Sequence, residues 1–139
     1  MIILDTNVVS EPMRPAPDRQ VLDWIDKQSL RSLYFTTVGL AEILSGIERL
    51  PEGKRKQRLR EIATEITGHL FADRILVFDV AAARKLAEIN NQAASKGFTI
   101  EFADCQIAAI AALHGFAVAT RDEAPFRAAG VPVINPWKA

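Results

Sequence analysis

The sequence predicts an α/β fold: a mostly parallel central sheet of about five strands, flanked by helices. Short apolar runs bounded by turn residues recur along the chain. Segments with helical, 3.6-residue periodicity separate them. Strands that alternate with helices in this way form a parallel sheet covered on both faces. Two of the connections hold pairs of helices, a departure from the plain one-helix-per-strand pattern of doubly wound folds.

The first run, Ile2-Ile3-Leu4, reads as a buried strand and stops at Asp5. The three prolines between Pro12 and Pro17 mark an irregular turn. Asp18 can cap a helix that carries Val21, Leu22, Trp24 and Ile25 on one side. Leu33-Tyr34-Phe35-Thr36 is a second strand. Thr36 or Thr37 then caps a helix in which Leu40, Ile43, Leu44, Ile47 and Leu50 form the apolar stripe, and Pro51-Glu52-Gly53 breaks it. A long helix follows from about Lys54 to Leu70. The third strand, Ile75–Phe78, ends at Asp79. Helices over about Val80–Lys96 and Glu101–His114 come next, separated by Gly97 as a C-cap. Phe116–Thr120 is the fourth strand and is followed by Arg121-Asp122. A short helix, Ala124–Ala129, closes at Gly130, and the last strand, Val131–Ile134, carries a proline that suits an edge.

The 139 residues, 49% of them hydrophobic and 24% charged, make a single domain spanning residues 1–139 and exclude a disordered chain. The single cysteine, Cys105, excludes a disulfide scaffold and fits a reducing, cytoplasmic setting. The opening residues lack the basic flank of a signal peptide. The longest uncharged run, Cys105–Thr120, is shorter than the roughly 18 apolar residues of a membrane span. Seventeen basic and seventeen acidic residues cancel, so any polyanion site must be a local patch. Lys54, Arg55, Lys56, Arg58 and Arg60 are the obvious cluster, but they read as a solvated helix face.

The acids carry the chemistry. Asp5 and Asp122 follow strands, and in parallel sheets sites form at the carboxyl ends of strands. Asp is equally a helix cap or turn residue. Asp104 lies in the first turn of a helix that is apolar nearly all round, which predicts an inward-facing carboxylate in need of a partner. Glu42 falls nearly opposite the Leu40/Ile43/Leu44/Ile47 stripe and by pattern alone reads as a surface glutamate. If the four met at spacings of about 5.5 Å, each ionised pair would repel by roughly 3 kcal/mol and the six pairs by about 18 kcal/mol. That matches or exceeds the roughly 5–15 kcal/mol that holds a domain together. Such a cluster must protonate, spread with water, or bind cations. All-oxygen ligands suit Mg²⁺ or Mn²⁺. His69 and His114 have no ligand spacing and read as structural.

Asp5-Thr6-Asn7-Val8, Ala41-Glu42-Ile43 with Gly46, Asp104 with Ile107-Ala108-Ala109, and Thr120-Arg121-Asp122 with Phe126 resemble the successive motifs of PIN-domain ribonucleases. The chain is most similar to the VapC toxins, and its opening Leu4–Pro12 and its Asn135-Pro136-Trp137 look like the FitB-like subgroup. The resemblance covers the whole chain. It implies a Mg²⁺- or Mn²⁺-dependent endoribonuclease toxin, silenced by a VapB/FitA-like antitoxin. Asp5, Glu42, Asp104 and Asp122 would be the metal ligands, and the products a 5′-phosphate and a 3′-hydroxyl. It assigns Asn7 and Thr120 supporting roles beside the ligands. It also implies a homodimer that reaches DNA only through its antitoxin. Arg121, next to Asp122, is the better phosphate-binding candidate by position, or else a salt-bridge partner.

Rival readings remain. A haloacid-dehalogenase-type phosphotransferase wants a second Asp where this chain has Asn7. A receiver domain using Asp79 wants an acidic pair near the first strand. An interaction module would use the acids only as caps.

Overall fold

The computed structural model describes residues 1–139. Five strands, β1 (Ile2–Leu4), β2 (Leu33–Thr36), β3 (Ile75–Leu76), β4 (Ala117–Ala119) and β5 (Val133–Ile134), form one sheet in the order β3-β2-β1-β4-β5. Every neighbouring pair is parallel. Seven helices flank the sheet: α1 (Thr6–Ser10), α2 (Arg19–Lys27), α3 (Thr37–Glu48), α4 (Lys54–Glu65), α5 (Val80–Ser95), α6 (Phe102–His114) and α7 (Glu123–Ala128).

The architecture agrees with the sequence reading, and β5 is an edge strand as its proline implied. The differences are local. The pattern gave no helix after Asp5, yet α1 forms there with Val8 and Val9 buried. Asp5 starts it, accepting a hydrogen bond from the Thr6 N–H, and packing outweighs the poor helix propensity of two β-branched residues. The proline-rich turn is ordered rather than irregular at its start: Glu11–Met13 is a 3₁₀ turn. Glu11 is buried there, accepting from the Asp18 N–H at 2.8 Å and pairing with Arg14 at 3.2 Å. The helix expected to run to Leu70 changes at Ile66 into a π turn, Ile66–Leu70. The third strand is only two residues long, because Val77 and Phe78 run past β2 and Val77 is exposed.

Alternation along the strands builds the core. Leu4, Leu33, Phe35 and Ala119 join Val8, Ile43, Ile47 and Leu59 on one face of the sheet. Ile3 and Val118 join Ile107, Ile110, Phe126 and Val131 on the other. The alanines of α6 keep it thin enough to lie close against α5, where Cys105 and Ala109 meet Ile89 and Ala93. The Cys105 thiol is buried and donates to Asn90 Oδ1 at 3.3 Å.

One member of the supposed solvated basic face is buried. Lys56 is 5% exposed. Its ammonium donates to the Glu48 carbonyl at 3.1 Å and pairs with Glu52 at 3.0 Å, tying the start of α4 to the last carbonyls of α3. The periodicity could not separate Lys56 from its neighbours, since all of them lie on a charged helix. Lys54, Arg55 and Arg58 are exposed, as expected.

Candidate metal centre

In an all-parallel sheet the carboxyl ends of β1 and β4 lie at the same edge. The register pairs Leu4 with Ala119, and the Asp5 N–H donates to the Ala119 carbonyl at 2.9 Å. This sets the Asp5 carboxylate beside the Thr120 hydroxyl. Thr120 Oγ1 donates to Asp5 Oδ2 at 2.7 Å, the Thr6 N–H donates to Asp5 Oδ1 at 2.8 Å, and Asn7 Nδ2 lies 3.4 Å from Asp5 Oδ2. Asp5 and Thr120 are both buried. Burial raises the Asp5 pKa, the Thr120 and Thr6 hydrogen bonds oppose that rise, and the charges of Glu42 and Asp122 add to it.

Asn7 ties two loops together. Its amide faces Asp5, while its Oδ1 accepts from the Arg121 N–H at 3.3 Å. Thr120 Oγ1 accepts from the Asp122 N–H at 3.1 Å, which turns the chain just after β4. Asp122 precedes α7 but makes no side-chain cap bond, so its exposed carboxylate is not used as a cap.

Asp104 stands in the first turn of α6. It is half-buried on a polar cavity rather than sealed in the core. The helix is apolar nearly all round in sequence, yet this end of it is open to solvent, with Phe102 63% exposed two residues before Asp104. Its pKa is pushed up to about 6, chiefly by burial and then by Asp5, Asp122, Glu101 and Glu42.

Glu42 is exposed on α3, away from Ile43 and Ile47, as its spacing implied. It is nonetheless part of the site: Thr6 Oγ1 donates to Glu42 Oε1 at 2.7 Å. Leu44, which the periodicity placed in the apolar stripe, is 44% exposed. The α3 helix reaches α1 through Gly39. A Cβ there would stand 2.5 Å from Phe35 Cε1 and 3.2 Å from Thr6 Oγ1. Thr6 and Ser10, which line the cavity, and Gly39, which backs Thr6, are the positions that residue patterns missed. A hydroxyl directly after a strand-ending aspartate was the available signal for Thr6, and none existed for Gly39.

Asp5, Thr6, Asn7, Ser10, Glu42, Asp104 and Asp122 line one cavity of about 300 Å³ that has no hydrophobic lining residue. The four acids therefore share a cavity, although no group of three or more acidic, histidine or cysteine side chains is arranged to hold a metal ion as it stands. The two facts are compatible. Mutual repulsion among the four is relieved in two ways: Asp5 and Asp104 hold protons more tightly, and Glu42 and Asp122 face solvent. The donor set is all oxygen, of the kind that hard divalent cations take. The histidines lie elsewhere: His69 pairs with Glu65, and His114 packs against Phe116. Arg121 is exposed and makes no ion pair; its guanidinium lies 5.2 Å from the centre of the Trp137 ring.

Comparison with known proteins places these features. Residues 2–131 match the family model described as PIN domain. The chain is 50% identical over 139 residues to "Plasmid stability protein StbB" of Pseudomonas syringae pv. tomato, covering 100% of both chains. It is 45% identical to "VapC ribonuclease Y4jK" of Sinorhizobium fredii, with 99% of each chain covered. It is 44% identical to "Toxin FitB" of Neisseria gonorrhoeae, again over 99% of each. A crystal structure of FitAcB from that organism superposes with a TM-score of 0.93 at 42% identity, over 100% of both chains.

Proposed function

Because this chain belongs to the PIN-domain family, we propose that it is a metal-dependent endoribonuclease and the toxin of a toxin–antitoxin pair. The observation that carries the reading is the meeting of four carboxylates, from four separate stretches of chain, in one wholly polar cavity. Full-length similarity to relatives named ribonuclease and toxin supports it.

Asp5, Glu42, Asp104 and Asp122 would hold Mg²⁺ or Mn²⁺. When bound, the ion supplies an electrophile for the scissile phosphate and a water of lowered pKa. The chain's own groups do the positioning. Thr120 and the Thr6 N–H hold the Asp5 carboxylate in one orientation, and Asn7 braces it against the Arg121 backbone. The Thr6 hydroxyl keeps the exposed Glu42 carboxylate turned toward the cavity.

The partner we propose is an antitoxin of the VapB/FitA kind, bound to a homodimer of this chain. A groove of about 350 Å³ beside α3 shares Thr6, Ser10 and Glu42 with the acid cavity and continues over Ile43, Ile47 and Leu50. Its apolar floor suits a helical segment.

A second reading has one observation in its favour, since Asp5 does cap α1. On that reading the acids are structural and no cation is needed. Labelled RNA incubated with Mn²⁺ or Mg²⁺ is expected to be cut internally, and EDTA to stop the cutting. Full activity in EDTA, with contaminating nuclease excluded, would overturn the metal assignment. Calorimetry without specific Mn²⁺ uptake would favour the capping role.

A further inference from the structure

We propose that Arg121 is the substrate-phosphate arm of this site and that Trp137 is its positioning residue. The inference deepens the ribonuclease reading and rests on it for the identity of the polyanion.

Most arginines of this fold are spent on carboxylates. Arg14, Arg19, Arg31, Arg60, Arg74 and Arg127 all form ion pairs. Arg49, Arg55, Arg58, Arg84 and Arg121 do not, and of these five only Arg121 directly adjoins one of the four acids in sequence, Asp122, with three more acids sharing the adjoining cavity. A free, flexible guanidinium beside such a cluster should fold onto it, because charge-assisted pairing with carboxylate is strong and bidentate. Two features direct it elsewhere. Its backbone N–H is fixed to Asn7 Oδ1 at 3.3 Å, on the residue that also faces Asp5. Its guanidinium lies over the face of Trp137, 5.2 Å from the ring centre. The negative face of an indole attracts a cation without neutralising it and leaves the N–H edge free to donate.

The ring is itself held. Trp137 packs against the core cluster that contains Leu4 and Val8. Its backbone N–H donates to Asn135 Oδ1 at 2.9 Å, and Asn135 Nδ2 donates to Glu123 Oε2 at 2.9 Å. Glu123 also pairs with Lys138 at 3.2 Å and with Arg127. The chain from Asn135 to Lys138 is thereby clasped to α7, the helix that starts at the acid site. An exposed, unpaired cation directly next to Asp122, which lines the anionic cavity, suits a phosphodiester whose next phosphate lies outside the cluster. There it offsets the repulsion that four acids impose on an incoming polyanion.

The test is RNA binding measured apart from cleavage. A fluorescein-labelled, mixed-sequence single-stranded RNA is titrated in EDTA, by anisotropy, over a range of NaCl. One lost phosphate contact lowers the magnitude of the salt slope by about 0.7 and weakens binding about fivefold near 0.1 M salt. Arg121→Ala is expected to do both. Trp137→Leu should reproduce most of the loss, Trp137→Phe should restore it, and Arg121→Lys should keep the slope but not the full affinity, lacking the planar group that stacks. With Mn²⁺ present, the losses should appear in KM rather than kcat. Wild-type affinity and slope in Arg121→Ala would overturn the phosphate arm, as would a wild type that binds no RNA. Equal loss in Trp137→Leu and Trp137→Phe would overturn the positioning role. Asp5→Asn separates this from the nuclease reading: it should lose cleavage while binding RNA in EDTA at least as well as wild type. Cleavage surviving in Asp5→Asn would count against the metal site and leave the Arg121 result standing.

Discussion

Asp5 shows how one side chain can be both structural and chemical. Its two oxygens take three donors, from Thr6, Thr120 and Asn7. In Asp5→Asn the remaining oxygen can still accept from the Thr6 N–H. The new amide can donate to Thr120 Oγ1, whose own proton can turn away, so only the Asn7 contact is opposed. We expect cleavage to be lost and stability in EDTA to stay within about 1 kcal/mol of wild type. Asp5→Ala strands those donors and should cost about 1–3 kcal/mol. Paired melts in EDTA and activity assays check both, and a large stability loss in Asp5→Asn would reduce the residue to a cap. Gly39 inverts a familiar expectation. Alanine in a helix normally gains roughly 0.5–1 kcal/mol over glycine. Here the new Cβ meets the Phe35 ring at 2.5 Å, and that ring is wholly buried and cannot move aside. Gly39→Ala should therefore destabilise by about 1–3 kcal/mol, read from the urea midpoint. Nothing in the sequence marked Gly39, because close approach is a property of the packed pair. Glu42 was legible only through the family motif, since its face of the helix is indeed solvated.

Two clasps operate at the scale of elements. Lys56 joins α3 to α4 from a buried position, and its cation sits among the last carbonyls of α3, where a helix dipole favours it. Lys56→Met keeps the stem and removes the charge, so about 1–3 kcal/mol should be lost at an unchanged denaturant slope. The second clasp, Glu123 with Asn135, Arg127 and Lys138, has a pH signature. Those hydrogen bonds, Asn135 first, lower the Glu123 pKa from 4.5 to about 2. A depressed carboxylate contributes stability that is complete above about pH 4.5 and fades as the pH falls toward 2. The melting difference between wild type and Glu123→Gln should be constant above that window and close within it. A difference that persists to pH 2 would show that the clasp does not depend on charge. Elements themselves were largely legible in hydrophobic period and turn residues. The exceptions, α1 and the π turn at Ile66–Leu70, are short segments that tertiary packing imposes on sequences with no local preference for them.

Across the whole molecule, formal charge sums to zero while one cavity gathers four acids. That local field makes inhibition and metal binding competitive if the antitoxin inserts a basic side chain. An arginine among Asp5, Glu42, Asp104 and Asp122 would occupy the oxygens that a cation needs. Raising Mn²⁺ should then weaken antitoxin binding to wild type, and Asp5→Asn/Asp104→Asn should weaken it strongly. Affinity indifferent to both would point to inhibition at a distant face. The parallel sheet and its edge strand β5 were readable from apolar runs and a proline. The strand order was not, because nothing local says which runs lie side by side once helices connect them.

That order fixes when the molecule becomes dangerous. Of the five strands β1 is synthesised before the others, yet it lies at the centre of the sheet between β2 and β4, and the Asp5 carboxylate waits for a hydroxyl 115 residues downstream. Closing so long a loop comes late in folding, since distant contacts carry the largest entropic cost. A nascent chain shorter than about Asp122 cannot assemble the cavity, so synthesis itself delays the hazard. Fragments released before that point should be harmless to the cell that makes them.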